Sequence, residues 1–322
     1  MEIFFSTLNQ MLLMLVLILT GIILKKKHIL SDESQYTLAK IETHVLLPAL
    51  SFYTWSQKCT TSTLTGNAKL ILFGMSIAIC SIFLANPLSG LFVRNIPEGD
   101  ERVYQRDMYK YALALANYGY VGNFIVLNVF GSDAFFRYSM FTFGLNFISY
   151  SWGIYMLTPK HYGSEKSLLV LLKGFLTPPL IGLLIGMVLG LTQTSKYVPD
   201  FIMSAASNAG SCMGPIAMLL AGLVVGEYDI KLLLGKWKIY IVSFLRLVIL
   251  PGIFLLVFHC LKVNKEIMTF ALIAFGGPIG LNTIVYPTSY GQDANTGASM
   301  VMTSQILSVL TIPIMYYFFI LL

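Results

Sequence analysis

Two short stretches combine asparagine with glycine inside otherwise apolar segments, and these residue types are suited to binding a small polar ligand. The first is Ala-Asn-Tyr-Gly-Tyr-Val-Gly-Asn-Phe at 116–124, and the second is Gly-Gly-Pro-Ile-Gly-Leu-Asn-Thr at 276–283. Glycine lets the backbone leave helical geometry. Within a lipid bilayer such a break is tolerated only where it is buried in protein or lines a cavity. Interrupted segments near the midplane are typical of transporter binding sites, so we predict one binding site built from both stretches.

The chemistry of these stretches favours an anion as ligand. An asparagine amide can donate to a carboxylate and accept from unwound backbone, and helix N-termini beside a break add partial positive charge. The alternative is that the asparagines only satisfy backbone groups freed by the break. Neither stretch contains an acid, which disfavours a carboxylate-built sodium site, although hydroxyls and backbone carbonyls could still hold an ion. The predicted substrate-binding residues are Asn117, Gly119, Gly122, Asn123, Pro278, Gly280, Asn282 and Thr283.

The composition is that of an integral membrane protein. Of 322 residues, 56% are hydrophobic and only 11% are charged, with a mean hydropathy of +0.75, whereas soluble domains are about 25% charged. The first apolar run is followed by Lys25, Lys26 and Lys27, the reverse of a signal peptide. Ten transmembrane helices are predicted: Phe4–Leu24, Tyr36–Ser56, Ala68–Val93, Tyr109–Phe130, Phe135–Leu157, Leu168–Leu191, Phe201–Val225, Ile239–Leu261, Ile267–Tyr290 and Ala294–Leu321.

The distribution of lysine and arginine predicts the orientation. The loops after spans 1, 3, 5 and 7, with the adjoining helix ends, hold 14 of these residues, and the opposite side holds 6. Positive charge concentrates on the cytoplasmic side, so both termini are predicted to lie outside a multi-pass protein of the plasma membrane.

The chain also reads as two related halves, 1–160 and 161–322. Pro48 matches Pro215, Pro87 matches Pro251 and Asn123 matches Asn282, at offsets of 167, 164 and 159 residues. Each half holds five predicted spans, an odd number, so the second half would enter the membrane inverted. Inverted repeats are common in secondary transporters.

Several motifs together resemble the auxin efflux carrier family, whose bacterial members include malate and malonate permeases. Residues 117–122 are similar to the family's Asn-x-Gly-Phe-x-Gly-x-Pro, the tail from Pro278 to Asp293 also fits, and 304–313 resembles its Ser-x-x-x-Ser-x-x-x-x-Pro close. Pro215 and Gly222 in span 7 agree as well.

That resemblance implies an all-α fold shared with bile-acid sodium symporters and sodium/proton antiporters. Spans 1, 2, 6 and 7 would form a scaffold, and spans 3–5 and 8–10 a transport domain. Within that domain the broken spans 4 and 9 would cross at the midplane beside the substrate.

The sequence departs from the family where proline is usual at the crossing. Phe124 stands there in span 4 and Thr283 at the corresponding point of span 9, each after an asparagine. Without proline, we expect the glycines to make the break and the side-chain amides to hold it.

Three ionisable residues in the apolar segments are further candidates. Arg246 lies about 9–14 Å past the inner end of span 8, where an arginine should face a partner or water. It could neutralise a substrate, pair with an acid, or reach back to the interface. Glu42 and His44 in span 2 are candidates for proton coupling, against the alternative of a solvated helix face. Gly182, Gly186 and Gly190 form a small-residue ridge for packing within the scaffold or between two copies in a homodimer.

The leading function is a secondary transporter of small organic anions, working by alternating access of an elevator-like mobile domain. Malate-like dicarboxylates and auxin-like carboxylates come from the resemblance, and H⁺ and Na⁺ stay open as coupling ions. The alternative is a membrane sensor that binds a small carboxylate at the same site. An enzyme is disfavoured because the 4 histidines and 15 acids form no HExxH motif or acidic cluster. No catalytic residue, metal, cofactor or nucleic-acid partner is predicted, and membrane lipid is the surrounding medium.

Overall fold

The protein is helical throughout the part that the structure, a computed structural model, describes: residues 2–31, 33–157, 177–227, 235–289 and 292–321. These residues form no β-strand. The α-helices are Glu2–Lys26, Ser34–Ile41, Leu47–Lys58, Thr61–Phe92, Asp100–Ala114, Asn123–Ile125, Gly131–Ile148, Ile154–Leu157, Pro178–Leu191, Asp200–Gly226, Trp237–Phe244, Leu250–Cys260, Lys265–Phe275, Asn282–Ser289 and Asn295–Tyr316.

Single π-helical turns join or extend many of these helices. They are Glu42–Leu46, Tyr118–Gly122, Val126–Phe130, Ser149–Gly153, Leu245–Ile249 and Tyr317–Leu321, and a short 3₁₀ turn covers Ser195–Tyr197. A π turn adds a residue to one turn of an α-helix and often marks a functional site. Each one therefore rotates the face that the following residues present.

Within the described residues the predicted spans fall on helical segments, apart from single residues at some of their ends and the non-helical stretches 115–117 in the fourth and 276–281 in the ninth. The first, for example, is the helix Glu2–Lys26, and the start of the sixth, before residue 177, lies outside the described residues. Four described segments are long and apolar enough to cross a membrane: Thr61–Phe92, Asp200–Gly226, Trp237–Cys260 and Asn295–Ile320. The number of crossings and the inverted repeat stay predictions.

Local sequence signals explain where two of these helices begin. The Thr60 side chain accepts a hydrogen bond from the Thr63 amide at 3.1 Å, and the Thr63 hydroxyl accepts one from the Thr60 amide at 2.8 Å. Asn264 accepts one from the Glu266 amide at 2.8 Å. These side chains satisfy amides that the first helical turn leaves unpaired.

The outer surface carries large apolar side chains, as lipid contact requires. On the helix Thr61–Phe92, Leu72 is 67% and Phe83 is 74% exposed. Side chains of this size on one long helix form an exposed apolar face. The protein is thus apolar both inside and outside, which fits a bilayer.

The glycine ridge of the helix Pro178–Leu191 packs inside this chain. A methyl group on Gly182, Gly186 or Gly190 would overlap backbone atoms of the helix Leu47–Lys58. Gly21 and Gly222 make a similar close approach between the helices Glu2–Lys26 and Asp200–Gly226. Of the two alternatives for the ridge, the structure shows packing within the chain, so a homodimer, still a prediction, would need another surface.

Candidate substrate-binding site

Two interruptions of the helical backbone meet at the centre of the candidate site. The first break covers residues 115–117, between the helix Asp100–Ala114 and the π turn that starts at Tyr118, and the second covers 276–281. Ala116 and Ile279 form an antiparallel bridge, and the Asn117 amide donates to the Pro278 carbonyl at 2.8 Å. The two breaks thereby satisfy part of each other's backbone.

Hydroxyl groups satisfy further backbone atoms at the breaks. The Ile279 amide donates to the Ser304 hydroxyl at 2.9 Å, and Ser81 donates to the Ala114 carbonyl at 3.0 Å. The expectation that side-chain amides alone hold the breaks was therefore incomplete. Backbone pairing between the breaks and two serine hydroxyls also satisfy backbone groups there. The serines come from segments that pack over the breaks.

The expectation that glycines make the first break was wrong. Gly119 and Gly122 lie inside the π-helical turn Tyr118–Gly122, after the break, and the extended residue is Leu115 with φ −124° and ψ 131°. Gly122 is instead required for packing, since a methyl group there would overlap the Tyr138 hydroxyl. At the second break, Gly276, Gly277 and Gly280 do lie within the interruption.

A cavity of about 260 Å³ opens beside the two breaks. One wall comes from the breaks and the residues after them, and a second from one face of the helix Gly131–Ile148 and the turn that follows. The remaining wall comes from residues 39–51 and the helices Pro178–Leu191 and Asp200–Gly226. Its polar lining residues are Thr43, Ser51, Asn117, Tyr118, Tyr120, Asn123, Ser139, Thr142, Asn146, Ser149, Asn282 and Tyr286.

Five of the eight predicted binding residues line this cavity: Asn117, Gly119, Asn123, Gly280 and Asn282. The other three are placed beside it. Gly122 packs on Tyr138, and Pro278 accepts the bond from Asn117. Thr283 is fully buried and donates to the Gly280 carbonyl at 2.9 Å. The structure thus brings the three asparagines together on one cavity, and binding by them stays a prediction.

The asparagines differ in how firmly they are held. Asn282 donates through Nδ2 to the Tyr111 hydroxyl at 2.8 Å, and the Tyr111 ring stacks on Trp152 with centroids 6.4 Å apart. Asn117 is only 5% exposed and occupies the N-cap position of the turn after the first break, where its side chain makes no capping hydrogen bond. Asn282 therefore lines the cavity and is held by a side-chain hydroxyl of the helix before the first break, and its binding role stays a prediction.

Arg246 does not line the cavity. It is fully buried in the π turn Leu245–Ile249, and its Nη1 lies 3.4 Å from the Leu113 carbonyl oxygen. The alternative in which the side chain reaches back to the membrane interface is therefore wrong.

Glu42 and His44 differ from each other in environment. Glu42 is fully buried, and neither carboxyl oxygen has a hydrogen-bond partner among the described residues. The solvated-face alternative is wrong for this residue, which is fully buried at the start of the π turn Glu42–Leu46. His44 is exposed, as that alternative expects, and its Nδ1 lies 3.1 Å from the Lys40 carbonyl oxygen.

Two helices that flank the breaks contribute lining residues that were not predicted from the sequence. Phe135, Ser139, Thr142, Asn146 and Ser149 recur every three or four positions and share one helix face. Ala39, Thr43, Leu47 and Ser51 recur every four positions. Polar residues that recur at this spacing within an apolar span are the sequence feature that could have predicted these lining positions. Asn146 accepts a bond from the Tyr118 hydroxyl at 3.1 Å and also lines the cavity.

Nothing in the described part of the chain resembles a metal centre, since no group of three His, Cys, Asp or Glu side chains comes together there. The lining residues themselves carry no charged side chain. The site thus has an uncharged, largely apolar lining that carries several amide and hydroxyl groups and lies between helices, as in a protein that binds a small molecule within the membrane.

Comparison with known proteins also indicates a membrane protein of this kind. The profile of the Mem_trans family, described as membrane transport proteins, matches residues 6–316. The chain therefore belongs to this auxin efflux carrier-like family of membrane transporters.

Two archaeal relatives cover nearly the whole chain. An uncharacterised transporter of Methanocaldococcus jannaschii is 25% identical over 309 residues, covering 95% of this chain and 97% of the relative. An uncharacterised transporter of Methanothermobacter thermautotrophicus is 24% identical over 319 residues, covering 97% and 98%. Because the chain belongs to a family of membrane transporters, no enzymatic role is needed to explain it.

Proposed function

We propose that the protein is a secondary transporter of small organic anions that works by alternating access. The observation that carries this proposal is the position of the cavity. It lies at the contact of the two helix breaks and between two groups of helices. A substrate held there would touch both groups, so their relative motion could expose it to either side.

We assign the two groups to the scaffold and the transport domain that the family resemblance implies. Thr43, Leu47, Leu183 and Leu220 belong to spans 2, 6 and 7, whereas the breaks and Ser139 belong to spans 4, 5 and 9. An elevator-like motion would carry the second group past the first. The mainly apolar scaffold side suits a sliding contact, because it offers few hydrogen bonds to break.

The chemistry of the cavity suits a carboxylate. Asparagine amides and the hydroxyls of serine, threonine and tyrosine can donate to carboxylate oxygens. Helical segments begin at Tyr118 and Asn282 on the cavity side of the breaks, and a helix N-terminus carries about half a positive charge. The lining therefore attracts an anion without a charged side chain.

The size of the cavity favours a small substrate. At about 260 Å³ it falls below the range of about 300–1,000 Å³ for drug-sized ligands. Mono- or dicarboxylates are the class we propose, malate-like, malonate-like or auxin-like by family resemblance.

The helix packing is consistent with the inverted repeat. The helix Glu2–Lys26 packs on Asp200–Gly226, and Pro178–Leu191 packs on Leu47–Lys58, each pair through glycines. If span 1 corresponds to span 6 and span 2 to span 7, these are equivalent pairs. We retain the proposal of ten spans with both termini outside the plasma membrane.

The test is charge movement in proteoliposomes on a solid-supported membrane. Malate, malonate and indole-3-acetate would be applied in turn, with and without a pH gradient, to wild type and Asn117→Ala. The matched control is Asn128→Ala, because Asn128 lies in the same segment, is exposed, and donates to the Phe124 carbonyl at 2.9 Å. It does not line the cavity.

We expect a saturable current for at least one anion that persists in Asn128→Ala and is lost or strongly reduced in Asn117→Ala. Electroneutral exchange would give no current, so uptake of the labelled anions would accompany the recordings. Saturable binding of an anion without any uptake would favour the sensor alternative. No binding and no uptake of these carboxylates would contradict the proposed substrate class.

A further inference from the structure

Arg246 is a fully buried cation with incomplete hydrogen bonding. Its Nε and Nη2 have no hydrogen-bond partner among the described residues, and Nη1 makes only a long bond of 3.4 Å to the Leu113 carbonyl. Its guanidinium carbon lies 5.9 Å from the centroid of the Phe275 ring. No described aspartate or glutamate lies within ion-pair distance of it. Among the described residues, the groups that can stabilise this charge are therefore uncharged.

The two contacts of Arg246 share one property. Leu113 is the penultimate residue of the helix Asp100–Ala114, and Phe275 is the last residue of Lys265–Phe275. The guanidinium therefore lies at a C-terminal carbonyl of one helix that leads into the breaks and beside the ring of the last residue of the other. Each helix C-terminus carries about half a negative charge, so the two together offset about one positive charge.

The breaks thus have two electrically different sides. The helical segments that start at Tyr118 and Asn282 face the cavity with their N-termini, whereas the preceding helices direct their C-termini towards Arg246. In transporters with broken helices, such C-terminal ends coordinate the coupling cation. Here a side chain from a third segment, Trp237–Cys260, supplies the positive charge.

Tyr111 connects this charge to the cavity. It lies two residues before Leu113, whose carbonyl contacts Arg246, in the helix Asp100–Ala114. Its hydroxyl accepts the hydrogen bond from the cavity-lining Asn282 at 2.8 Å. The helix end that contacts Arg246 is therefore linked by the Tyr111 side chain to a residue that lines the proposed substrate site.

We propose that Arg246 is a built-in cation that occupies the place of a bound inorganic cation at the paired helix C-termini, so that anion binding requires no sodium. The inference rests on the proposed function in one respect, that the cavity binds the anion. Arg246 is then a positioning residue: it holds the two breaks together and acts on the ligand through Tyr111 and Asn282.

The experiment is chemical rescue, measured as the thermal unfolding temperature of purified protein in detergent. Arg246→Ala would be titrated with low-millimolar guanidinium chloride, with sodium chloride, and with choline chloride at equal ionic strength. We expect a lower Tm than in wild type, restored saturably by guanidinium, partly by sodium and not by choline. Wild type should respond equally to all three salts.

Two further variants separate charge from packing. Arg246→Lys keeps the charge and should keep a Tm near that of wild type. Arg246→Met fills similar space without charge and should be destabilised and not rescued. If Arg246→Ala does not fold, these two decide the question. A Met variant as stable as wild type, or an Ala variant that responds no more to guanidinium than to choline, would overturn the proposal.

The unfolding temperature needs no transport activity, so this test remains informative even if no carboxylate proves to be a substrate. For an anion that does bind, its affinity for wild type should be the same in sodium and in choline. A binding affinity that depends on sodium would also overturn the inference.

Discussion

The Asn282 amide nitrogen lies 2.8 Å from the Tyr111 hydroxyl oxygen and donates a hydrogen bond to it. This bond joins the start of the helix after the second break to the helix that precedes the first break. It fixes the orientation of a cavity-lining amide from a residue that does not itself line the cavity. This part of the cavity wall is therefore held in position by a side chain that lies behind it.

The first prediction is that Tyr111 and Asn282 act together. Tyr111→Phe keeps the stacked ring but removes the acceptor, and Asn282→Ala removes the donor. We expect each change to weaken anion binding about tenfold, or about 1.4 kcal/mol. The double variant should be little worse than either single one, since contacting residues are coupled by about 0.5–3 kcal/mol. Calorimetric Kd values for the four proteins give the coupling, and additive effects would contradict it.

The second prediction concerns the contact of Phe124 with Gly214. A methyl group on Gly214 would overlap the Phe124 ring, so Gly214→Ala should destabilise the protein by about 1–3 kcal/mol through overpacking. Gly90→Ala is the matched control, because no atom lies near that helical glycine, and alanine there should be neutral or stabilising. Thermal unfolding checks both, and Phe124→Leu should rescue Gly214→Ala. Equal effects at the two glycines would contradict the packing argument.

The third prediction concerns the exposed ion pair between Lys58 and Asp133, whose charged atoms are 2.6 Å apart. The hydrogen bond and positive charge of Lys58 lower the pKa of the Asp133 carboxyl. Its contribution to stability is therefore present above the ordinary pKa of an aspartate, about 3.9, and is lost as the pH falls below that value. The free energies of unfolding of wild type and Asp133→Asn should differ slightly at pH 6 in low salt and converge at pH 3.

High salt supplies a second check on this pair. The Debye length falls to about 3 Å at 1 M salt, so the difference between wild type and Asp133→Asn should disappear there. A difference that survives in 1 M salt would show that Asp133 acts through something other than the exposed pair.

The fourth prediction concerns the buried carboxyl of Glu42. A charged carboxylate without a partner is costly to bury, so proton binding at this residue should be linked to its burial. Glu42→Gln keeps the shape and cannot ionise, and we expect it to flatten the pH dependence of anion uptake. His44→Gln, at an exposed position in the same turn, should keep the wild-type profile. An unchanged pH profile in Glu42→Gln would exclude this residue from proton coupling.

The sequence predicted the helices and the two unusual stretches because those properties are local. Apolar runs of sufficient length specify the helices, and asparagine and glycine within them specify where they are interrupted. The second break falls on its glycines as expected. The first lies a few residues earlier, because Ala116 pairs with Ile279, a contact between residues 163 positions apart.

The remaining features depend on tertiary packing. The wall formed by Thr43, Leu47 and Ser51 exists only because the helix Leu47–Lys58 packs near the breaks. A solvated face was an alternative for both Glu42 and His44, and only the packed structure shows that Glu42 is buried whereas His44 is exposed. Likewise, the unusual position of Arg246 was visible in the sequence, whereas its place at two helix ends was not.

The central claim is that the anion binds in the cavity between the two groups of helices, and substrate protection tests it most directly. Ser139→Cys and Ser51→Cys place thiols on opposite walls, and Ser62→Cys places one at an exposed position away from the cavity. The exposed native Cys80, Cys212 and Cys260 would first be replaced by serine. We predict that the transported anion slows maleimide labelling at both wall positions and not at residue 62. Equal labelling with and without the anion at both walls would contradict the account.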